Sequence, residues 1–364
     1  MVNILVVGMT GGVGGVENFI CNIAEKIDRE KYQMDFLVHQ KLNPMYENRI
    51  KEVGGDIYYV SGVKSDFLKF LKDIFSFFEN NKKYKIVHLH ECSATFFIYV
   101  LPVFFYSKYK LIVHSHNGSF EGKLHYLFKP IQNKRADLRC ACSDVAARWM
   151  FGKETYELIH NGINVKKFIY NEEVRIRKRK ELEIGADIFL IGSIARFEKQ
   201  KNHDRIIDIF SEYYQANKMS RLLLVGDGPD LENIKCKLKK LDLLNIVIFL
   251  KNRTDINELL WAMDIMLMPS LYEGLPFVTI EAQAASLPLV ISDSITREVE
   301  ITELVNYVSL EDDNSCWVKI IDKYNQARIK RGTSIYSDMV IEHGYDVNNT
   351  VEELQKIYDE LGEN

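Results

Sequence analysis

Two glutamates, Glu273 and Glu281, stand in the stretch SLYEGLPFVTIEAQAASLPLV, Ser270 to Val290. The first lies in a turn rich in Gly and Pro, the second inside the helical pattern that follows. Pro276 suits the first helical position, where its missing N–H is no loss. The N–H groups of Phe277, Val278 and Thr279 are then left at a positive helix end, which is a ready site for phosphate. Glu273 could accept hydrogen bonds from hydroxyls on one side of that phosphate, and Glu281 from hydroxyls on the other. A phosphate flanked by two polyols is the outline of a nucleotide sugar. The same pattern also describes a capped surface helix with two solvated carboxylates. Arg196 and Lys201, in the loop RFEKQKN, carry charge that can neutralise a diphosphate, the arginine bidentately.

Other residues offer weaker chemistry. GGVGGVE, Gly11 to Glu17, places glycines at the first and third positions of a dinucleotide fingerprint, but Glu17 occupies the sixth. The fingerprint therefore fails, and no Gly-Lys-Ser/Thr completes a phosphate loop. What remains is a backbone that a ligand can approach, next to a helix start. His116 ends a strand and precedes Asn117 and Gly118, a position that suits a ligand rim. His88, His90 and His114 alternate on nearby strands, yet no Asp or Glu completes a metal spacing, so structural roles are expected for them. GDGPD, Gly226 to Asp230, reads as a turn rather than an acidic metal pair.

These residues need elements to position them. Strand-like runs alternate with helical patterns: NILVVGM, DFLVH, DIYYV, IVHLH, LIVHSH and RCACS in the first half, then FLIGSIAR, RLLLVGDG, IVIFL, DIMLMPS and PLVISD. The helix after the glycine turn repeats Phe19, Ile20, Ile23 and Ile27 at helical spacing. Between the halves lies NEEVRIRKRKEL, Asn171 to Leu182, which reads as a solvated helix or linker. The expected class is α/β, with two Rossmann-like doubly wound domains facing a cleft. The glycine and polar clusters fall at the carboxyl ends of the strands, where such sheets bind ligands.

Composition bounds the rest. A chain of 364 residues exceeds one ordinary core, so two domains are expected. The formal net charge of −4 does not favour nucleic acid as a partner. Six scattered cysteines match no zinc or redox spacing and suit free thiols. MVNILVVGMTGG is a strand and a glycine turn rather than a signal peptide, and FFIYVLPVFFY is too short to span a bilayer. A cytoplasmic location is expected. DFLKFLKDIFSFF and FFIYVLPVFFYSKYK interleave aromatics with Lys69, Lys72, Lys108 and Lys110. Core packing accounts for most of these rings, and the remainder suits a peripheral contact with anionic membrane at the inner face of the cell membrane.

Taken together these residues resemble glycosyltransferase family 4, retaining enzymes of the GT-B fold. EGLPFVTIEAQAASLPLV, IGSIARFEKQKNH, LLLVGDGPD, IHNGIN at Ile159 to Asn164 and the GGVE start at Gly14 carry the resemblance, which covers nearly the whole chain. VGGVENFI and ISDSITREVEIT look like the bacterial enzymes that build capsular polysaccharide or exopolysaccharide. The resemblance implies transfer of a sugar from a nucleoside diphosphate sugar, UDP by family frequency, to a hydroxyl of a glycan or lipid-linked oligosaccharide. The anomeric configuration would be retained, without metal or other cofactor. It implies that Arg196 and Lys201 hold the diphosphate. Glu273 and the backbone of Gly274, Leu275, Pro276 and Phe277 would contact donor sugar and phosphates, and Glu281 the ribose. His116 would lie near the transferring sugar and Gly14 and Gly15 near the phosphates, with Asn252 and Arg253 in the base-binding loop. It implies an acceptor domain over 1–165, a donor domain over 166–340 and a helix over 341–364 crossing back to the first. Gln200 before Lys201, and Asn202 where glycine is usual, depart from the common pattern and bear on the loop's shape. A GT-B epimerase or phosphorylase, or a non-catalytic nucleotide-sugar-binding subunit, would use the same residues.

Overall fold

Strands buried on both faces read as unbroken apolar runs, because neither face meets water. NILVVGM, LLLV and DIMLM are such runs, and in the computed structural model they take interior places in two parallel sheets. The structure describes residues 1–12, 14–63, 66–118, 122–251, 253–327, 331–332 and 334–363. The chain divides into two compact units, Met1–Ile163 with Gly344–Asn364, and Asn164–His343.

The first unit contains β1 (Val2–Val7), β2 (Tyr32–Val38), β3 (Ile57–Tyr59), β4 (Ile86–Glu91), β5 (Lys110–Ser115), β6 (Leu138–Ala141) and β7 (Glu157–Leu158), in the order β3-β2-β1-β4-β5-β6-β7. The second contains β8 (Phe189–Ile194), β9 (Ser220–Val225), β10 (Val247–Leu250), β11 (Ile265–Met268), β12 (Leu289–Ser292) and β13 (Val305–Val308), in the order β10-β9-β8-β11-β12-β13. Each unit is a doubly wound, Rossmann-like sheet. The order reverses between β1 and β4 and again between β8 and β11, and such a switch opens a crevice at the strand carboxyl ends. The loop leaving β1 carries Gly11, Gly12 and the stretch Gly14–Glu17 to the first crevice, and the loops leaving β8 and β11 carry RFEKQKN and SLYEGLP to the second.

Two glycines, one after β1 and one after β9, let neighbouring backbone pass close at the strand ends. Gly8 has φ +124°, and a Cβ there would stand 1.9 Å from the His90 carbonyl oxygen on β4. Gly226 has φ +151°, and its Cβ would meet the Ala195 carbonyl oxygen at 2.0 Å. Only a residue without a side chain fits either place.

The segment Asn171 to Leu182 departs from its sequence reading. It forms the helix Glu172–Glu181, with Lys178 and Arg179 buried rather than solvated. Arg179 bonds Asp264 Oδ2 at 3.2 Å, and Arg175 donates to the carbonyls of Trp261, Ala262 and Met263 at 2.6, 3.0 and 2.8 Å. These cations neutralise Asp264 and the negative end of the helix Ile256–Ala262. The apolar run from Phe96 becomes part of a 3₁₀ segment, Ala94–Phe104, broken at Val100, with Phe105 exposed. The two-residue β7 is too short to show a pattern in the sequence, and β13, VNYV, is not among the strands read from it.

The last helix, Val347–Glu363, belongs to the first unit. Lys85 Nζ donates to the Gly362 carbonyl at 2.7 Å, and the Tyr358 hydroxyl meets His88 Nδ1 at 2.7 Å. Nearby, the fully buried Asp35 carboxylate accepts from Lys83 Nζ at 2.7 Å, Tyr84 Oη at 2.8 Å, Gln33 Nε2 at 2.9 Å and the Asp56 N–H at 3.1 Å. Burial alone would raise its pKa; these bonds outweigh burial and hold it below the usual value. A depressed folded pKa adds stability above the unfolded value and loses it as pH falls through the folded one. Asp35→Asn should therefore cost about 2 kcal/mol at pH 7, with the gap to the unsubstituted protein closing below about pH 4. Urea denaturation at both pH values measures this, and a gap that does not close would remove the charge from the explanation.

Candidate active site

The loop after β8 reaches the loop after β11 through a set of hydrogen bonds. The Leu271 N–H donates to the Gln200 carbonyl at 2.8 Å, and Gln200 Nε2 donates to the Tyr272 carbonyl at 2.8 Å. Asn202 Nδ2 donates to the Pro269 carbonyl at 3.0 Å. Asn202 has φ 54° and ψ 47°, the left-handed region that asparagine enters more readily than most residues. It keeps the turn that glycine would make and adds a bond that glycine lacks. The helix His203–Ala216 starts directly after it.

This stitching brings Lys201 Nζ to 2.6 Å from Glu273 Oε1, with side chains 19% and 7% exposed. Gln200 Nε2 also approaches Glu273 Oε2 at 3.4 Å. Arg196 lies on the same loop, 61% exposed at its side chain, and pairs with Glu198 at 2.8 Å. Gly274 and Leu275 are buried under the turn. The helix that follows is Phe277–Ala284, with Pro276 as its N-cap, one residue before the first helical position expected for it. The Thr279 N–H is also not free: it donates to the Pro276 carbonyl at 3.1 Å, because the helix opens with a tight turn. The N–H groups of Phe277 and Val278 have no acceptor among the described residues. The carbonyl of Ser270, at the loop's start, accepts from Ser292 and Ser294 hydroxyls at 2.6 and 2.7 Å.

Glu281 sits one turn into this helix, partly buried. Burial raises its pKa from 4.5 to about 7, and the Lys167 charge opposes the rise. Arg253 takes another course. Its Nε and Nη2 grip Asp255 at 2.7 and 2.6 Å, and Nη2 also approaches Glu181 at 3.5 Å. It belongs to a charge network with Lys178, which bonds Asp255 at 2.7 Å and Glu258 at 3.0 Å. Asn252 lies outside the described residues. Asp227 is paired with Lys251 at 3.2 Å and accepts the Gly228 N–H at 2.9 Å, as a turn residue does.

In the first unit, Gly14 caps the helix Gly15–Lys26. Glu17, which spoils the dinucleotide fingerprint, folds back on the loop: its Oε1 accepts from the Thr10 N–H at 3.0 Å and the Thr10 hydroxyl at 2.7 Å. A Cβ on Gly14 would stand 2.7 Å from Glu17 Oε2, so glycine makes room for the returning carboxylate. The Tyr46 hydroxyl donates to the Gly14 carbonyl at 3.3 Å. Sequence reasoning named Glu17 only as a mismatch; the pairing of Thr10 with an acid seven residues on was the available signal.

His116 is 9% exposed and turns into a block with His88, His90 and His114. Its Nε2 lies 2.9 Å from His90 Nδ1, and His88 Nε2 lies 3.3 Å from His114 Nδ1. Period two along β4 and β5 places all four rings on one sheet face, against the edge of Phe19 and the Tyr358 hydroxyl. Burial lowers the pKa of every ring, to about 3 for His88 and His116, so all are neutral. Nitrogens of His88, His90 and His114 come within 4.8 Å of one another. An ion there would compete with the bonds that the rings make to one another.

Comparison with known proteins places both units. Residues 174–325 match the family model "Glycosyl transferases group 1", and residues 13–167 match "Glycosyltransferase Family 4". The chain is 32% identical over 95% of its length to "Putative glycosyltransferase EpsF" of Bacillus subtilis (strain 168), covering 93% of that protein. It is 24% identical, over 75% of its length and 81% of the relative, to the UDP-Gal:alpha-D-GlcNAc-diphosphoundecaprenol alpha-1,3-galactosyltransferase of Escherichia coli. Among solved structures, Anabaena HepE in complex with UDP and glucose superposes with a TM-score of 0.83 at 17% identity, over 99% of this chain and 100% of that one. WaaG, a glycosyltransferase involved in lipopolysaccharide biosynthesis, does so with 0.73 at 13% identity, over 98% and 99%.

The raised pKa of Glu281 has a measurable sign. Between its ordinary value of 4.5 and about 7, the folded chain binds a proton that the unfolded chain has released. Stability therefore falls as pH rises through that window and levels above it. In thermal denaturation from pH 5 to 8, Glu281→Gln should gain on the unsubstituted protein up to about pH 7 and no further. Parallel curves across the range would place the raised pKa elsewhere.

Proposed function

We propose that this chain, which belongs to glycosyltransferase family 4, moves a sugar from a UDP-sugar to a hydroxyl of a lipid-linked glycan with retention of configuration. It is a glycosyltransferase of polysaccharide biosynthesis with two Rossmann-like units. The observation that carries the finer reading is the buried Lys201–Glu273 pair, at 2.6 Å, beside the unpaired amides of Phe277 and Val278. An arriving diphosphate competes with Glu273 for Lys201 and is met by the helix end and by Arg196. Glu273, released, accepts from hydroxyls of the transferred sugar, and Glu281 from those of the ribose. As the sugar–phosphate bond breaks, charge grows on the leaving diphosphate. In this reading Lys201, Arg196 and the helix amides stabilise that charge, a role that needs no metal. Same-face attack, with the leaving phosphate taking the acceptor's proton, retains configuration. We assign His116 and the loop at Gly14 and Gly15 to sugar and phosphates on the family resemblance.

The UDP complexes of HepE and the undecaprenol-linked acceptor named for the Escherichia coli relative support UDP and a lipid-linked acceptor. No described helix is long and apolar enough to cross a membrane. The first unit nevertheless exposes Leu68 at 79%, Phe105 at 68% and Tyr126 at 65%, among exposed Lys69, Lys72, Lys108 and Lys123. That combination suits peripheral binding where the acceptor's lipid resides.

Lys201→Ala and Glu281→Ala should each cut transfer at least ~100-fold, the weight of about 2.7 kcal/mol in the barrier; near-unchanged turnover in either would refute the assignment. Conservative changes at Glu273 should alter the choice of sugar, whereas those at Glu281 weaken every donor alike. A thermal-shift screen of nucleotides and nucleotide sugars identifies the donor, since a ligand at 100 times its Kd adds about 2.7 kcal/mol. Co-sedimentation with anionic liposomes at low salt tests the membrane contact, and absence of binding would sink it.

A further inference from the structure

Gln200 is fastened at two points to the loop that carries Glu273. Its carbonyl accepts from the Leu271 N–H at 2.8 Å, and its side-chain Nε2 donates to the Tyr272 carbonyl at 2.8 Å. The same nitrogen lies 3.4 Å from Glu273 Oε2. Lys201 Nζ meets the other oxygen, Oε1, at 2.6 Å. Two consecutive residues of one loop thus address the two oxygens of one carboxylate. The neighbours fix the orientation of the Gln200 amide. A carbonyl and a carboxylate only accept, so a turned amide would set its oxygen against both. The NH₂ group carries two hydrogens, and one is spare once the Tyr272 carbonyl has taken the other.

The two contacts respond differently to an incoming anion. An anion that draws Lys201 away strips Glu273 of its short bond, and a carboxylate 7% exposed is costly to leave without a partner. Gln200 does not follow the lysine. It is neutral, so a diphosphate has no charge to pull on, and its two bonds to Leu271 and Tyr272 hold it in place. A shift of about 0.3 Å brings its contact with Oε2 into the ordinary hydrogen-bond range.

We propose that Gln200 is a positioning residue that takes over Glu273 when Lys201 turns to the donor diphosphate. It holds Oε2, so that Oε1 alone is presented to the hydroxyls of the transferred sugar; this rests on the reading of Lys201 and Glu273 given above. Gln200, a departure from the common family pattern, then has a task beyond the shape of its loop.

Two double-mutant cycles test this. The first needs no ligand. Lys201→Ala removes the lysine as the donor would and leaves Glu273 to Gln200. Gln200→Met keeps a side chain of similar length without the amide donor. In urea denaturation it should lower the folding equilibrium constant about tenfold more in the Lys201→Ala chain than in the unsubstituted one, the weight of one hydrogen bond to a charged group. Equal effects in the two chains would overturn the proposal. The second cycle reads UDP affinity by titration calorimetry. UDP claims the lysine and offers Glu273 no sugar, so Gln200→Met should raise the Kd for UDP about tenfold. With Glu273→Gln in place there is no charge to hold, and Gln200→Met should then change that Kd by less than about twofold. A loss of the same size in both backgrounds means that Gln200 only shapes the loop, and overturns the proposal as well. If Lys201→Ala does not fold, the UDP cycle decides. If the unsubstituted chain does not bind UDP, the donor reading fails, and the stability cycle still shows whether Gln200 holds Glu273 without the lysine.

Discussion

The ion pair between Lys201 and Glu273 depends on nearly everything around it. Two opposite charges can lie buried at low cost only while they face each other. Their partnership holds together two loops that leave different strands, β8 and β11. Those strands are neighbours because the chain order reverses between them, and for that reason alone a lysine and a glutamate 72 residues apart can meet. Asn202 in its left-handed turn, the Gln200 bonds and the Ser270 carbonyl held by two serines fix the same two loops. A ligand that separates the pair must offer an anion to the lysine and hydroxyls to the glutamate. A sugar diphosphate, the class of donor proposed above, offers both in one molecule.

The first unit handles polar groups at its strand ends differently. It keeps four imidazoles neutral by burial and bonds them in pairs, with Tyr358 from the last helix closing one end. Glu17 is spent on Thr10 and the start of its own helix. These groups shape a rim without placing free charge on it. The second unit places cations and helix amides on its rim. The division fits the proposed pairing of a neutral alcohol acceptor with a dianionic donor.

Much of this was legible along the chain. Doubly wound sheets announce themselves through apolar runs alternating with helical periods, and the Gly and Pro turns mark the carboxyl ends where ligands bind. Glu273, Lys201 and Arg196 carried little weight singly, since charged loop tips are often just solvated, and stood out because all three fall on one sheet rim beside a helix start. The helix Glu172–Glu181 was misread for a related reason. Its Arg and Lys residues look solvated in a list, but buried acids and carbonyl ends elsewhere in the chain draw them inward. Arg253 shows the same limit: its charge is visible in sequence, and its commitment to Asp255 is not.

Sequence alone therefore determined the class of fold, the family and the residue types at the ligand rim, since these follow from local periodicity, turn chemistry and motif order. Tertiary structure decided which of those residues are free and which are engaged. It paired Lys201 with Glu273, folded Glu17 back on Thr10, and turned His116 toward His90. It also raised the Glu281 pKa, because burial is a property of what packs around a side chain and not of its neighbours in the chain. Hydrogen bonds and desolvation act through space between segments that sequence order keeps far apart, and they set the protonation and polarity on which the chemistry depends.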